Sequence, residues 1–553
     1  MKMVKYFLAT AAVAALTGCL GDGNEPLAVA AAPAPTGPIQ LQILSINDFE
    51  GRLEPVIVDG RPAGGAAVLA SYLNEWERRA TARGATTIRV QAGDAIGPTP
   101  PISGLLQDEP TMMVMDSLRI AFGTVGNHEF NEGVTELLRM QNGGRHPVTE
   151  PILGVFQAPR LHRFLAANVV WRDGRGPGGA TGPIFAPYAI QDLGGGVRVG
   201  IIGITKNDVP TVVSAAGIRD IMFLDEVETV NRIANDLQSR GVRTIIVLHH
   251  RGDASGDLFG SPLTGTLVPV IERMSPHIDV IINADSHRGY WGRVGNRLVL
   301  QAFAHSSAFG AINLSIDRQT GDVISSQAEV VRTLHDPAFP PVPAVAAEVA
   351  RFAAVVAPIV NTPVGTTTAP IVRDRNPAGE APLGNLIADA QRSAMGTQIA
   401  FMNGGGIRAD IPAGTVTRGH LLTVQPFGNT LIRMDMTPAQ IRRLLEQQWV
   451  DQPFPRILHV SGMSYTWNPA LPVGSRVLAN TIMVGGVPLD TACNPTCSVA
   501  ANSFIAAGGD MFSVFAEPTA RTGGVADADA LFNHIQRLPQ PFTAAIEGRI
   551  RNP

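Results

Sequence analysis

Apolar strand patterns that each end on a potential metal ligand constrain this chain more than any other feature. Residues 41–48 end on Asp48 with Glu50 just beyond, 88–94 on Asp94, 121–127 on Asn127 with His128 next, 244–250 on His250, and 279–285 on Asp285 with His287 close behind. A sixth pattern, 197–205, carries no ligand. Helical patterns at 66–82, 110–120 and 225–240 alternate with these strands, the last opening on acidic residues and stopping at Gly241. Parallel strands that alternate with helices deliver their carboxyl ends to one edge of a sheet, so an α/β fold is expected to gather these side chains there. Carboxylates, an amide and imidazoles so gathered build a two-metal hydrolytic site.

The 553 residues suffice for two or three domains, and 45% hydrophobic with 16% charged residues is ordinary globular composition. A formal net charge of −4 gives no electrostatic footprint for a nucleic-acid polymer, so the expected partner is a small molecule. At the amino terminus Lys2 and Lys5 precede an apolar stretch too short for the ~20 residues of a bilayer span. It ends in Leu16-Thr17-Gly18-Cys19, which resembles a bacterial lipobox, with an ordinary signal peptide as the simpler alternative. Residues 1–19 are therefore read as a lipoprotein signal peptide with a lipid anchor at Cys19. Leu20, not aspartate, follows it, which points to the outer membrane of a cell envelope. Residues 20–38, rich in Ala, Pro and Gly, read as a flexible tether. Cys493 and Cys497 read as a local disulfide.

After strand patterns at 298–304 and 311–316 the alternation stops, and a Pro-rich stretch leads into an Ala/Val helix ending near residue 360. This divides the chain into 39–340, a linker helix at 341–362 and a second domain at 363–545. In that second domain a helix at 382–395 leads to a strand at 398–402, which empties into Asn403-Gly404-Gly405-Gly406-Ile407-Arg408. Consecutive glycines let backbone amides approach an anion, and an arginine beside them supplies a bidentate fork, although such clusters are more often plain turns. Thr437 and Pro438 read as cap and first residue of a helix reaching Trp449.

These motifs resemble the bacterial 5′-nucleotidase family, whose members include UDP-sugar hydrolases and 2′,3′-cyclic-nucleotide phosphodiesterases. The resemblance rests on Asn47-Asp48-Phe49-Glu50-Gly51-Arg52-Leu53, Ala92-Gly93-Asp94, Gly126-Asn127-His128-Glu129, Leu248-His249-His250 and Ala284-Asp285-Ser286-His287 in the first half. In the second half it rests on residues 403–408, Pro426-Phe427-Gly428-Asn429 and the Phe504 to Asp510 segment. It implies an αββα metallophosphoesterase sandwich joined by a helix to an α/β nucleotide-binding domain, with rotation between the two. It also implies two divalent metal ions (Mn, Mg, Ca, Co or Zn) held by Asp48, Glu50, Asp94, Asn127, His250, Asp285 and His287, with Asp94 as the bridge. His128 would be the catalytic imidazole, oriented by Asn131. Arg408 with Arg373 or Arg375 would bind phosphate, and Phe427 and Phe504 would clamp a base whose edge Asn429 and Asp510 read. The oligomeric state stays open.

The family pattern has histidine where Glu50 and Asp285 stand and aspartate where Asn131 stands. The two carboxylates add formal negative charge, which favours harder cations and slows water activation. Asn131 orients His128 without stabilising an imidazolium, a loss that costs far more where the histidine is the base than where it only offsets charge. Two functions stay in view. One is a metal-dependent phosphoester hydrolase acting on nucleotides; the other is a catalytically impaired surface lipoprotein that binds them. His249 is expected to face away from the site, because neighbouring strand residues alternate. His305 is expected to be structural, since no motif places a ligand there.

Overall fold

Ile43 and Leu44, neighbours on one strand, face two different cores, and the computed structural model, which describes residues 37–553, repeats this pattern in strand after strand. Two six-stranded sheets stack face to face. The first runs Val323–Arg332, Ala308–Ile316, Ile39–Ile46, Thr86–Gln91, Phe122–Thr124 and Arg163–Leu165, parallel from Ile39–Ile46 onward. The second runs Tyr188–Asp192, Arg198–Thr205, Thr244–His250, Val280–Asn283, Arg297–Ala302 and Gly289–Val294, with antiparallel strands only at its edges. Leu41, Ile43 and Val90 of one sheet meet Val199, Ile246 and Leu248 of the other.

The outer faces take the helices. Ala66–Ala82 and Glu109–Ser117 cover Leu44 and Ile46, while Glu226–Ser239 and Val268–Glu272 cover Ile202, Ile245 and Val247. This is the αββα sandwich, and it corrects the expectation of a single sheet edge. Strands buried on both faces read as continuous apolar runs, so their sequence does not say which sheet they join. Asp225 caps Glu226–Ser239 by accepting the Glu228 N–H at 2.8 Å, which agrees with its acidic start.

Pro343–Val360 packs Val345, Phe352 and Val356 against Ala66–Ala82 and its neighbours. By length and a mean hydropathy of 1.6 this helix would pass for a bilayer span, but that stripe docks on the sandwich. Beyond it a mixed five-stranded sheet runs His459–Ser461, Ile399–Met402, Cys497–Asn502, Thr430–Met436 and Arg521–Ala526. Pro382–Met395 and Asp527–Ile535 lie on one face and Pro438–Glu446 on the other. Thr437 opens that last helix with a capping box: its hydroxyl accepts the Gln440 N–H at 3.2 Å and its own N–H donates to Gln440 at 2.9 Å. Cys493 and Cys497 are joined by a disulfide. Cys19 and nearly all of the tether lie outside the described residues.

His162 packs edge-on to Phe164, ring centroids 4.8 Å apart, and is fully buried. Burial lowers its pKa from 6.5 to about 4. The unfolded chain therefore takes up a proton that the folded chain refuses, so stability present above pH 6.5 is lost as the pH falls toward 4. His162→Phe is expected to remove that loss, about 3 kcal/mol at the acid end. Urea unfolding across the window checks it, and an unchanged pH slope would refute the assignment.

Candidate metal centre and cleft

The strands stop short of the ligands. Ile39–Ile46, Thr86–Gln91 and Val280–Asn283 end two or more residues before Asp48, Asp94 and Asp285, and only His250 lies within its strand. The reason is backbone geometry: Asp48, Glu50, Asp94, Asp285 and His287 have φ of 48°, 46°, 52°, 77° and 56°. Left-handed conformations disfavour side chains other than glycine, and such clusters occur where function demands them. Hydrogen bonds hold the loops in place. Asp48 N–H donates to Gly93 O at 3.1 Å and Glu50 N–H to Asp94 O at 2.9 Å. The buried Glu129 carboxylate accepts the Asp94, Ala95 and Gly126 N–H groups at 3.0, 2.8 and 2.5 Å.

Three donor groups result among the described residues, each with its atoms within 4.8 Å: Asp48, Asp94 and His250; Glu50, His287 and His305; and Glu50, Asp94 and His128. His250 Nδ1 donates to Ala92 O at 2.9 Å, which fixes the tautomer with Nε2 free. That Nε2 lies 3.1 Å from Asp94 Oδ2, and it and Asn127 Oδ1 are buried without a hydrogen-bond partner. Glycine is required beside them. A Cβ on Gly126 would come within 2.1 Å of Asp94 Oδ1, and one on Gly93 within 2.3 Å of His250 Nδ1.

The electrostatics ask for cations. Burial raises Asp48 to about 7. It works the same way on Asp94, but His250 and His128 outweigh it and hold that carboxyl at about 2. Burial would lower His250, yet Asp94, Asp48 and Asp285 raise it to about 10. A buried carboxyl, Asp48, driven toward neutrality beside an imidazole driven toward charge marks a site short of positive charge. The donor set fits divalent metals.

The remaining candidates divide. Glu50 is contacted by Arg408 Nη2 at 3.1 Å, His287 Nε2 at 3.2 Å and His305 Nε2 at 2.8 Å. Burial opposes its charge, but these partners hold it well below the usual carboxylate range. His305 thus joins the site, correcting its structural reading. It arrives on the loop that leaves the second sheet for the first, and its backbone N–H donates to Asp48 O at 2.8 Å. Asp285 reaches the cleft but belongs to none of the three groups; its carboxylate pairs with Lys206 at 2.7 Å. Nothing in the residue types of the 197–205 strand pattern signalled Lys206. His249 faces away as expected, paired with the buried Glu226 at 2.8 Å.

His128 N–H donates to Asp94 Oδ1 at 2.9 Å, and both polar atoms of the Asn131 amide lie within 3.3 Å of His128 Nδ1. Burial, with Arg408 adding to it, lowers the pKa of His128 against the pull of Asp94 and Glu50, so the ring is neutral. Phe427 stacks near it, ring centroids 5.9 Å apart and planes 27° apart, with the Arg408 guanidinium 6.0 Å from the same phenyl ring. All these groups line one cleft of about 1130 Å³, together with Arg373, Arg375, Asn429, Phe504 and Asp510. Arg375 is tied to Ile457 O at 2.8 Å and lies 3.3 Å from His459 Nε2, while Arg373 donates to Ile407 O at 3.2 Å. Asp510 accepts from Asn403 at 2.9 Å, and Asn429 accepts the Ser503 hydroxyl at 3.0 Å.

Stacked sheets with metal donors at one end, facing an α/β half that supplies arginines and aromatics, define a metallophosphoesterase joined to a second α/β half. The family model "5′-nucleotidase, C-terminal domain" matches residues 363–517. The cell wall protein Lmo0130 of Listeria monocytogenes is 32% identical over 99% of this chain and 74% of its own length. Endonuclease YhcR of Bacillus subtilis is 33% identical over 94% of this chain, which spans only 41% of the length of YhcR. The crystal structure of a 5′-nucleotidase precursor from Thermus thermophilus matches with a TM-score of 0.75 at 28% identity, covering 93% of this chain and 99% of that one. The chain belongs to the 5′-nucleotidase family.

Proposed function

We propose that the chain hydrolyses phosphate esters of nucleotides, releasing phosphate from nucleoside monophosphates or cleaving related derivatives. The observation that carries this reading is the shared cleft: the metal donors Glu50, Asp94, Asn127 and His287, the His128 imidazole, arginines and two aromatic rings line one volume. Divalent metals bound there would polarise the phosphoryl group and activate water. Asp48, Glu50, Asp94, Asn127, His250 and His287, with His305, would hold them, with Asp285 beside them.

The chain's own residues supply the rest. At 3.1 Å the Asn131 NH₂ can donate to His128 Nδ1 and at 3.3 Å its Oδ1 can accept from the ring; in the first arrangement Nε2–H is free to donate to a phosphoryl oxygen. Asparagine permits this tautomer of a neutral ring, whereas a carboxylate could only accept from Nδ1–H. Arg408, which pairs with Glu50 at 3.1 Å, would offset charge that builds on the phosphoryl oxygens. Phe427 and Phe504 offer aromatic faces to a base, which accommodates different bases without naming one.

The division at 39–340, 341–362 and 363–545 is part of the same proposal, supported by sheets that draw strands from one half or the other and never from both. So is a place in the cell envelope, supported by the cell-wall relative and the lipobox pattern. Hydrolysis of AMP and UDP-glucose, run with Mg²⁺, Mn²⁺, Ca²⁺, Co²⁺ and Zn²⁺, tests the enzyme reading. Turnover in any metal supports it; nucleotide binding with no turnover in all of them leaves a binding protein. A single-stranded oligonucleotide in the same assay decides whether the activity implied by the name of YhcR extends here.

A further inference from the structure

Lys206 is the first residue beyond Arg198–Thr205, the strand without a ligand. Its backbone N–H donates to His250 O at 3.2 Å, which ties it to the neighbouring ligand strand. Its ammonium lies 2.7 Å from Asp285 Oδ1, and that same oxygen is 3.8 Å from His250 Nε2. The two side chains are only 13% and 21% exposed, so water screens the pair weakly. Asp285 N–H bridges both Asp48 oxygens, at 2.9 and 3.1 Å, and fixes the carboxylate beside the donors.

The four carboxylates of the site thus differ. Glu50 has Arg408 and Asp285 has Lys206, while among the described residues Asp48 and Asp94 have no lysine or arginine partner within ion-pair distance. An ammonium on Asp285 opposes a divalent cation at His250, and the carboxylate attracts it; together they nearly cancel. Resting on the hydrolase reading above, we propose that Lys206 and Asp285 act as one positioning pair, the ammonium cancelling the carboxylate so that Asp94, Asn127 and His250 hold an exchangeable rather than a trapped divalent cation. Added negative charge at position 285 is therefore balanced inside the fold, which revises the expectation of a more anionic site.

Titration calorimetry with Mn²⁺ on the chelator-stripped full chain tests this. Lys206→Met is expected to tighten Mn²⁺ binding about ten-fold or more, and Asp285→Asn to weaken it by a similar factor. The double variant should return to within about three-fold of the native affinity, and Lys206→Arg, which keeps the charge, should stay near it. Opposite signs for the two single variants are the signature, since a pair that merely supports the loop would weaken binding in both. A folded Lys206→Met with unchanged or weaker binding overturns the proposal. Should that variant not fold, Asp285→Asn decides: unchanged or tighter binding overturns it. A native chain that binds no Mn²⁺ overturns the hydrolase reading as well, whereas native binding that ignores both substitutions overturns the pair alone.

Discussion

Asp94→Ala is expected to lower nucleotide hydrolysis by at least about 10³-fold and to empty the centre of metal. Among the described residues only Glu50 is shared by as many donor groups. Asp94 belongs to two of the three donor groups, accepts the His128 N–H at 2.9 Å through Oδ1 and places Oδ2 3.1 Å from His250 Nε2. Its loss removes both a candidate donor and the acceptor that holds the His128 backbone N–H. Asp94→Asn separates the two roles, because an amide oxygen still accepts from His128 while the charge is gone. Elemental analysis should show both variants depleted of metal while circular dichroism shows each to be folded. Full metal occupancy in Asp94→Asn would remove Asp94 from the ligand set.

Arg408→Ala should lower kcat/KM by roughly 10² to 10³, the scale set by removing a donor from developing anionic charge. The guanidinium reaches across 358 positions of sequence to Glu50 and lies near Phe427, so it stands between the metal donors and an aromatic ring. Lysine should rescue little, since a single ammonium cannot reproduce a planar fork. Because the Arg408 guanidinium occupies the Glu50 carboxylate, its removal should tighten metal binding in the absence of nucleotide, a readout independent of turnover. Unaltered kcat/KM in Arg408→Ala would place the phosphate elsewhere.

Much of the site could be read from the chain because its donors follow buried strands, and a strand leaves an apolar signature. Asp48, Asp94, Asn127 and His250 were legible in that way. What resisted reading was tertiary. The left-handed backbone at Asp48, Glu50 and Asp94 moves these residues off the strands and onto turns, and no residue type announces it. His305 enters on a loop between sheets, and Lys206 follows a strand with nothing metal-like on it. Their partners, Glu50 and Asp285, lie far away in sequence. The pairing of strands into two sheets was equally hidden, because interior runs covered on both faces look alike whichever neighbour they take.

The stacked sheets set an order of events during synthesis. Asp48, Asp94 and Asn127 leave the ribosome just after strands of the first sheet, well before His250 on the second and His305 on the loop that returns to the first. A nascent chain at that stage carries these donors with His128 but without His250, His287 or His305, and Arg408 is later still. Cation capture becomes a final act, one that rewards only the finished molecule and pulls the closing steps of assembly forward.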